Sequence, residues 1–352
     1  MELLDRVEAF TKLGKVINQV LENGSAPQAL TPSTPVLSRL IQTVKDQNPW
    51  FTPDNVRTAL SAIARSLTPE NLVTWTAMYP ALEKEANPRR IGVTMAGNIP
   101  LVGFHDFLSV LMTGNHFIGK LSSKDNLLLP AVARILMDIE PGFTGQIDFT
   151  EGSFTGINAI IATGSDNSAR YFDFYFDRYP NIIRRNRNGI AILDGLENSS
   201  ELNALGEDIF CYFGLGCRSI SKLFVPDNYD FTPLINTLQS YSHLADHIKY
   251  KNNITYNRAR YTLQQIPFLD AGSLLFREDQ EIASPPGVVF FEYYNQLEEL
   301  NSKLNLLRDK VQCTVSHNKL FQSIGFGKSQ YPDLWGYADG IDTMKFLLSL
   351  NN

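Results

Sequence analysis

Cys217, Asn98 and Lys120 stand in short glycine- or serine-bearing turns, where side chains are free to do chemistry. In the stretch FGLGCRSISKLFVP, residues 213–226, Cys217 follows Gly-Leu-Gly and precedes an apolar run. A buried free cysteine behaves as a small, inert hydrophobe, whereas a thiol meant to react needs exposure and donors that favour the thiolate. The glycines give the backbone freedom, and Arg218, Lys222 or a helix N-terminus are the expected sources of thiolate stabilisation. Taken alone, a cysteine in a turn is more often inert, so its surroundings must carry the argument.

Three further stretches have the composition of a ligand edge: Ala96-Gly97-Asn98, Lys120-Leu121-Ser122-Ser123 and Thr163-Gly164-Ser165. Each follows an apolar run of strand length, although simple turn chemistry accounts for any one of them singly. Other patterns fall away on inspection. GFGKS at 325–329 lacks the glycine a phosphate-binding loop needs five positions before Gly327, where Gln322 stands. His243 and His247 share a helical spacing but have Leu244 where a metalloprotease glutamate belongs, and no third metal ligand. There is no Gly-x-Ser-x-Gly elbow and no Cys-x-x-Cys, and no metal is expected.

These residues need elements to hold them. Residues 1 to about 85 have helical periodicity, and Thr68-Pro69-Glu70 reads as an N-cap with proline at the first helical position. From RIGVTMAG onward the pattern alternates. RIGVTMAG, NHFIGKLSS, INAIIATGS and GIAILDG read as strands. PLVGFHDFLSVLMTG, LLLPAVARILMDI and SARYFDFYFDRY between them read as helices. Such alternation predicts a parallel sheet of βαβ units, with ligands at the carboxyl ends of its strands. Beyond residue 188, ELNALGEDIFCYFGLG reads as a helix, SKLFVP and PPGVVFFEYYN as strands, and NQLEELNSKLNLL as a helix.

The expected architecture is therefore α/β, with two α/β domains and a helical N-terminal segment. The N-terminal segment and a nucleotide-binding domain occupy 1–188 and a catalytic cysteine domain 189–325. A C-terminal segment, 326–352, is expected to pack back at the domain interface. A chain of 352 residues, 43% hydrophobic, is long enough for two packed cores. Its net charge of −6 argues against nucleic acid as a partner. Three cysteines make no disulfide framework and suit a reducing compartment. No run reaches the roughly 18 apolar residues of a membrane span, and the first residues lack a signal-peptide core. The expectation is a soluble, cytoplasmic protein.

Together these stretches resemble the aldehyde dehydrogenase superfamily, and within it the LuxC-type branch of long-chain fatty acyl-CoA reductases. The likeness runs from about residue 90 to the C-terminus. GCRSISKLFV looks like the family's nucleophile segment, with Cys217 five residues before a basic residue and a strand. AGNIP at 96–100 looks like its Trp-Asn-Phe-Pro segment, which makes Asn98 the match to the oxyanion-hole amide. TGNHFIGKLSS puts Lys120 where the family lysine meets the cofactor's adenosine ribose. ATGS at 162–165 puts Thr163, Gly164 and Ser165 near the pyrophosphate. EIASP at 281–285 is a weaker match that places Glu281 near the nicotinamide ribose.

Two departures from the family pattern are informative. Three positions after the lysine, many NAD-linked members have an acidic residue; here Ser123 stands there, followed by Lys124, which favours a 2′-phosphate and NADPH over NADH. The family's Glu-Leu-Gly-Gly-Lys segment supplies the base that hydrolyses the acyl-enzyme; the corresponding IIRRNRNG, 182–189, has arginines and no carboxylate. A chain without that base suits thioester reduction rather than aldehyde oxidation. The resemblance thus implies an NADPH-dependent reduction of an acyl-CoA to an aldehyde. Cys217 attacks the thioester, and Asn98 with the Cys217 N–H holds the oxyanion. It also implies a homo-oligomer and a possible acyl-activating partner subunit. An acyl phosphate or an acyl-carrier-protein thioester is the alternative substrate, and a non-catalytic acyl-binding scaffold the alternative of another class.

Overall fold

The computed structural model describes residues 1–22, 30–84, 87–164, 166–318 and 320–350. The chain forms two compact units, Met1–Arg185 together with Asp333–Asn352, and Asn186–Pro332.

The first unit opens with four helices, α1 (Leu3–Glu22), α2 (Thr34–Thr43), α3 (Pro53–Ser66) and α4 (Pro69–Ala77). In α1, apolar residues at three- and four-residue spacing put Phe10, Leu13 and Ile17 in the core, fully buried. Thr52 and Thr68 cap α3 and α4, accepting the N–H of Asn55 and Asn71, with proline at the next position in each. Then come β1 (Arg90–Thr94), α5 (Phe104–Met112), β2 (His116–Lys120), α6 (Leu128–Ile139), β3 (Ile147–Phe149), β4 (Ala159–Thr163), α7 (Asp166–Phe176) and β5 (Asn181–Arg184). The five strands form one parallel sheet in the order β3-β2-β1-β4-β5. Strand order reverses at β1, the position where such sheets open a ligand crevice beyond the strands' carboxyl ends. Phe10 of α1 meets Phe107 of α5 and Phe143 edge-on, and Phe107 in turn meets Phe117 of β2 edge-on, which ties α1 and α5 to the sheet.

The second unit contains β6 (Asn188–Ile192), α8 (Ser199–Phe210), β7 (Ile220–Pro226), α9 (Thr232–Leu238), α10 (Ile248–Leu263), β8 (Leu269–Asp270), β9 (Leu275–Glu278), β10 (Val288–Tyr294), α11 (Leu297–Leu307) and β11 (Val311–Val315). Its six-stranded sheet has the order β11-β6-β7-β10-β9-β8, parallel except between β8 and β9. Ile190, Ile192 and Phe224 of the sheet pack with Leu300 and Leu304 of α11.

The last helix, α12 (Thr343–Ser349), belongs to the first unit. Its Met344 and Leu347 are fully buried there. Ahead of it, the Trp75 indole N–H donates to the Tyr337 hydroxyl at 2.7 Å, and His105 Nε2 bonds the Leu334 carbonyl at 2.8 Å.

The strands expected at RIGVTMAG, NHFIGKLSS, INAIIATGS and GIAILDG are present as β1, β2, β4 and β6. One expectation is corrected: the helix predicted through ELNALGEDIFCYFGLG stops at Phe210. Tyr212, Phe213 and Gly214 follow with φ of 53°, 58° and 74°, a left-handed turn that no right-handed helix accommodates. Among the described residues no helix is long and apolar enough to cross a membrane.

Candidate active site

In the second unit the site is built around the turn that carries Cys217. The helix α8 is fixed at its start by a capping box: the Asn198 side chain accepts the Ser200 and Glu201 N–H groups, and Glu201 accepts the Asn198 N–H. At its far end the left-handed turn reverses the chain. Two consecutive non-glycine residues in this conformation each cost about 1–2 kcal/mol. Burial of both aromatic side chains offsets that cost, with the Phe213 ring centred 4.4 Å from His247 and 5.4 Å from Tyr250. The chain then makes a hydrogen-bonded turn, Ser219 N–H to Gly216 carbonyl at 3.0 Å, with Cys217 and Arg218 at its two central positions. The strand β7 begins immediately after.

This turn lies directly over the start of β6. A Cβ at Gly189 would fall 2.7 Å from the Arg218 carbonyl oxygen and 2.8 Å from that of Ser219, so the close approach requires glycine. Two more hydrogen bonds hold the turn: Ser219 Oγ donates to the Cys211 carbonyl at 3.2 Å, and Gln330 Nε2 donates to Ser219 Oγ at 3.4 Å.

None of the three cysteines forms a disulfide, and all three are half-buried. Burial, reinforced by the charge of Asp208, pushes the Cys211 thiol up to about 12; burial likewise pushes Cys313 up to about 12 against the opposing effect of Arg218. Both remain protonated thiols at neutral pH. Cys313 sits in β11, its sulfur 3.7 Å from the Arg218 carbonyl. Lys222 does not act as the expected free cation: it is fully buried in β7, ion-paired with Glu292 at 3.1 Å and bonded to the Asp279 carbonyl. Glu281 is exposed, its N–H bound to the Asp279 carboxylate at 2.9 Å. The next residue, Ile282, accepts a 2.7 Å bond from Ser221 of β7, which ties this segment to the strand following Cys217.

In the first unit the remaining candidates gather at one sheet edge. Thr94, the end of β1, pairs with Lys120, the end of β2, and on its other side with Ala162 of β4. Asn98 is exposed in the turn after β1; Ser123 and Lys124 are exposed in the loop after β2; Thr163 ends β4 and Gly164 follows it. Ser165 lies outside the described residues. Lys120 Nζ donates to the Gly152 carbonyl at 3.1 Å. The loop's one carboxylate, Asp125, is turned inward, accepting the Leu101 N–H at 2.8 Å. The loop therefore presents to solvent a hydroxyl and an ammonium but no carboxylate, a donor set that fits a phosphate-bearing ribose.

The arginine stretch is tied into the fold. Arg184 is buried at the end of β5, ion-paired with Asp106 and donating to Thr343 Oγ1 at 2.9 Å. Arg185 pairs with Asp173 at 2.7 Å on the surface, and Arg187 donates to the Arg308 carbonyl at 3.2 Å. The aromatic helix α7 is two-sided: Phe172 and Phe176 pack together, while Tyr171, Phe174 and Tyr175 are exposed.

Sequence reading missed two features. Asp125 was invisible because its partner lies 24 residues away. The other is a cluster beyond the ends of β6 and β11. His317 Nε2 meets Asp194 at 2.6 Å and Nδ1 meets Glu201 at 3.4 Å, while Glu197 accepts the Asp194 N–H at 2.7 Å.

No protein-family model matches the chain. Solved structures do. Aldehyde dehydrogenase 21 of Physcomitrella patens, solved with the product succinate, superposes with a TM-score of 0.66 over 99% of this chain and 88% of its own, at 11% identity. Aldehyde dehydrogenase C of Pseudomonas syringae, a mutant solved with NAD+ and octanal, gives 0.62 over 91% and 73%, at 11% identity. The fold is that of the aldehyde dehydrogenases. Within that fold, the sequence is similar to the long-chain acyl-protein thioester reductase of Photorhabdus laumondii subsp. laumondii, 24% identical over 196 residues. The match covers 51% of this chain and 40% of that protein, so the chain spans less than half of its relative's length. This aldehyde-dehydrogenase-like chain thus carries its cysteine turn and its polar sheet edge on a scaffold shared with proteins solved with NAD+.

Proposed function

We propose that this aldehyde-dehydrogenase-like protein reduces an acyl-CoA thioester to an aldehyde with NADPH, through an acyl intermediate on Cys217. The observation that carries the reading is the Cys217 turn. It sets a half-buried thiol at a central position of a hydrogen-bonded turn immediately ahead of β7. The Cys217 thiolate attacks the thioester carbonyl; the carbon–sulfur bond to CoA breaks and CoA leaves as its thiolate. Asn98 and the Cys217 N–H are the proposed donors to the oxyanion of that step, each worth roughly 100- to 1000-fold in rate. A bound nicotinamide supplies the hydride that reduces the acyl carbon. Collapse of the resulting thiohemiacetal returns the electron pair to sulfur and releases aldehyde.

Lys120, Ser123, Lys124, Thr163, Gly164 and Ser165 are the proposed cofactor residues, with Glu281 toward the nicotinamide ribose. The exposed Ser123–Lys124 pair beside an inward-turned Asp125 supports NADPH. The stretch 182–189 supports reduction over hydrolysis, because it brings no general base and its Arg184 is committed to Asp106. A reducing cytoplasm suits a nucleophilic thiol outside any disulfide, and a homo-oligomer with an acyl-activating partner belongs to the same proposal. The name of the Photorhabdus relative favours a second reading, in which the acyl donor is a thioester held on a protein rather than on CoA.

Intact mass after incubation with acyl-CoAs, without nucleotide, tests the proposal beside Cys217→Ser. The expected outcome is an acyl adduct on the native chain alone, discharged by NADPH faster than by NADH. No adduct from any acyl-CoA, with an adduct from an acylated carrier protein, moves the reading to the protein-bound donor. No adduct from either removes the mechanism.

A further inference from the structure

Asp125 is 6% exposed in a loop whose neighbours Ser123 and Lys124 are open to solvent. Its Oδ2 accepts the Leu101 N–H at 2.8 Å. Its Oδ1 is buried without a hydrogen-bond partner. Leu101 stands between Asn98 and α5 in a left-handed conformation, φ 58°, that leucine adopts unfavourably. The Leu101 carbonyl in turn accepts the N–H of Phe104, the first residue of α5, at 2.9 Å. One carboxylate therefore holds the far end of the Asn98 turn and, through Leu101, the start of α5.

The same two loops also touch sterically. A Cβ at Gly97 would lie 2.6 Å from Ser122 Oγ and 3.1 Å from Lys124 Cβ, so the residue before Asn98 packs directly on the loop. From the other side, Gln47 Nε2 donates to the Ser123 carbonyl at 3.2 Å and to Asn126 Oδ1 at 2.9 Å. Asn48 Nδ2 donates to the Lys124 carbonyl at 3.2 Å. The loop is thus clamped between the helical N-terminal segment and the Asn98 turn.

A carboxylate is an expensive choice for this position. Burial pushes the Asp125 carboxyl up to about 6, and one of its oxygens goes unused. An asparagine would offer Leu101 the same acceptor without a charge to desolvate. What the charge adds is strength, since N–H bonds to a carboxylate are shorter and stronger than bonds to a neutral acceptor.

We propose that Asp125 is a positioning residue that locks the Asn98 turn to the Ser123–Lys124 loop, so that cofactor held by the loop steadies Asn98 and speeds acylation of Cys217. This rests on the assignments of Asn98, of that loop and of Cys217 given above. The coupling is read by measuring the rate of Cys217 acylation from acyl-CoA with and without NADP+, which holds the loop but carries no hydride to discharge the adduct. The native chain is expected to acylate at least fivefold faster with NADP+, the low end of ordinary coupling between sites.

Asp125→Asn is expected to keep or raise the melting temperature while losing most of that acceleration, and Asp125→Ala to lose it entirely. Should Asp125→Ala fail to fold, Asp125→Asn carries the test. Retention of the full NADP+ effect in a folded Asp125→Asn chain, or its absence from the native chain, overturns the inference. Asn98→Ala separates this failure from a failure of the underlying reading: if it acylates at the native rate, the assignment of Asn98 is what falls, and the inference falls with it.

Discussion

A single methyl group at residue 189 would reach the Arg218 and Ser219 carbonyls at under 3 Å, and backbone cannot yield to it as a flexible side chain would. Gly189→Ala must therefore lift the Cys217 turn from β6 or distort the first pairs of the β6–β7 ladder. Overpacking of this kind costs about 1–3 kcal/mol. The expected outcome is a lower denaturation midpoint together with acylation of Cys217 slowed by tenfold or more, read by intact mass over time. A loss of stability with an unchanged acylation rate would show that the turn keeps its geometry without this contact. The glycine-rich neighbourhood of Cys217 was legible in the sequence; this glycine, 28 residues upstream, was not. Nor was the reversal at Tyr212 and Phe213, because neither residue type signals positive φ and only their burial sustains it.

At the scale of elements, β6, β11 and α8 meet at His317. Hydrogen bonding to Asp194 raises the His317 pKa above its ordinary value, with burial opposing and the charge of Asp194 and the bond to Glu201 assisting. For Asp194, burial acts upward, but the bond and charge of His317 and the Leu196 N–H outweigh it and leave the carboxyl below its ordinary value. The histidine's contribution to stability is therefore complete below its unfolded pKa near 6.5 and lost as pH rises through the higher folded value. The aspartate's contribution is present above about pH 4 and lost as pH falls through its lower folded value. The pair should stabilise the fold most between these limits. His317 is partly exposed, so solvent screening limits the gain to about 1 kcal/mol or less. His317→Ala should lower the melting temperature at pH 6 by a few degrees and leave it nearly unchanged at pH 9. Equal losses at both pH values would mean that the ring acts through packing against Phe326 rather than through charge.

For the whole molecule, the sequence showed most where one element repeated one pattern. Apolar runs ending in polar turns marked β1, β2 and β4 with the residues at their carboxyl ends, and the parallel sheet of the first unit follows from that alternation. The strands β3 and β8, of three and two residues, are too short to show any period, and α10 places Tyr250, Ile254 and Tyr261 inward on an otherwise polar face. The final segment, 333–352, carries no strand-and-helix signature that says where it packs, yet its Leu334, Met344 and Leu347 fill the core of the first unit. Removing one of these side chains distinguishes a purely structural tail from one that acts on chemistry. Leu347→Ala deletes a fully buried side chain and should cost about 2–5 kcal/mol, read as a lower denaturant midpoint. Below the transition the surviving folded molecules should still acylate Cys217 to the same stoichiometry. A fall in that stoichiometry at an unchanged midpoint would instead tie the tail to the reacting cysteine. It would make α12 part of the catalytic apparatus rather than of the core that supports it.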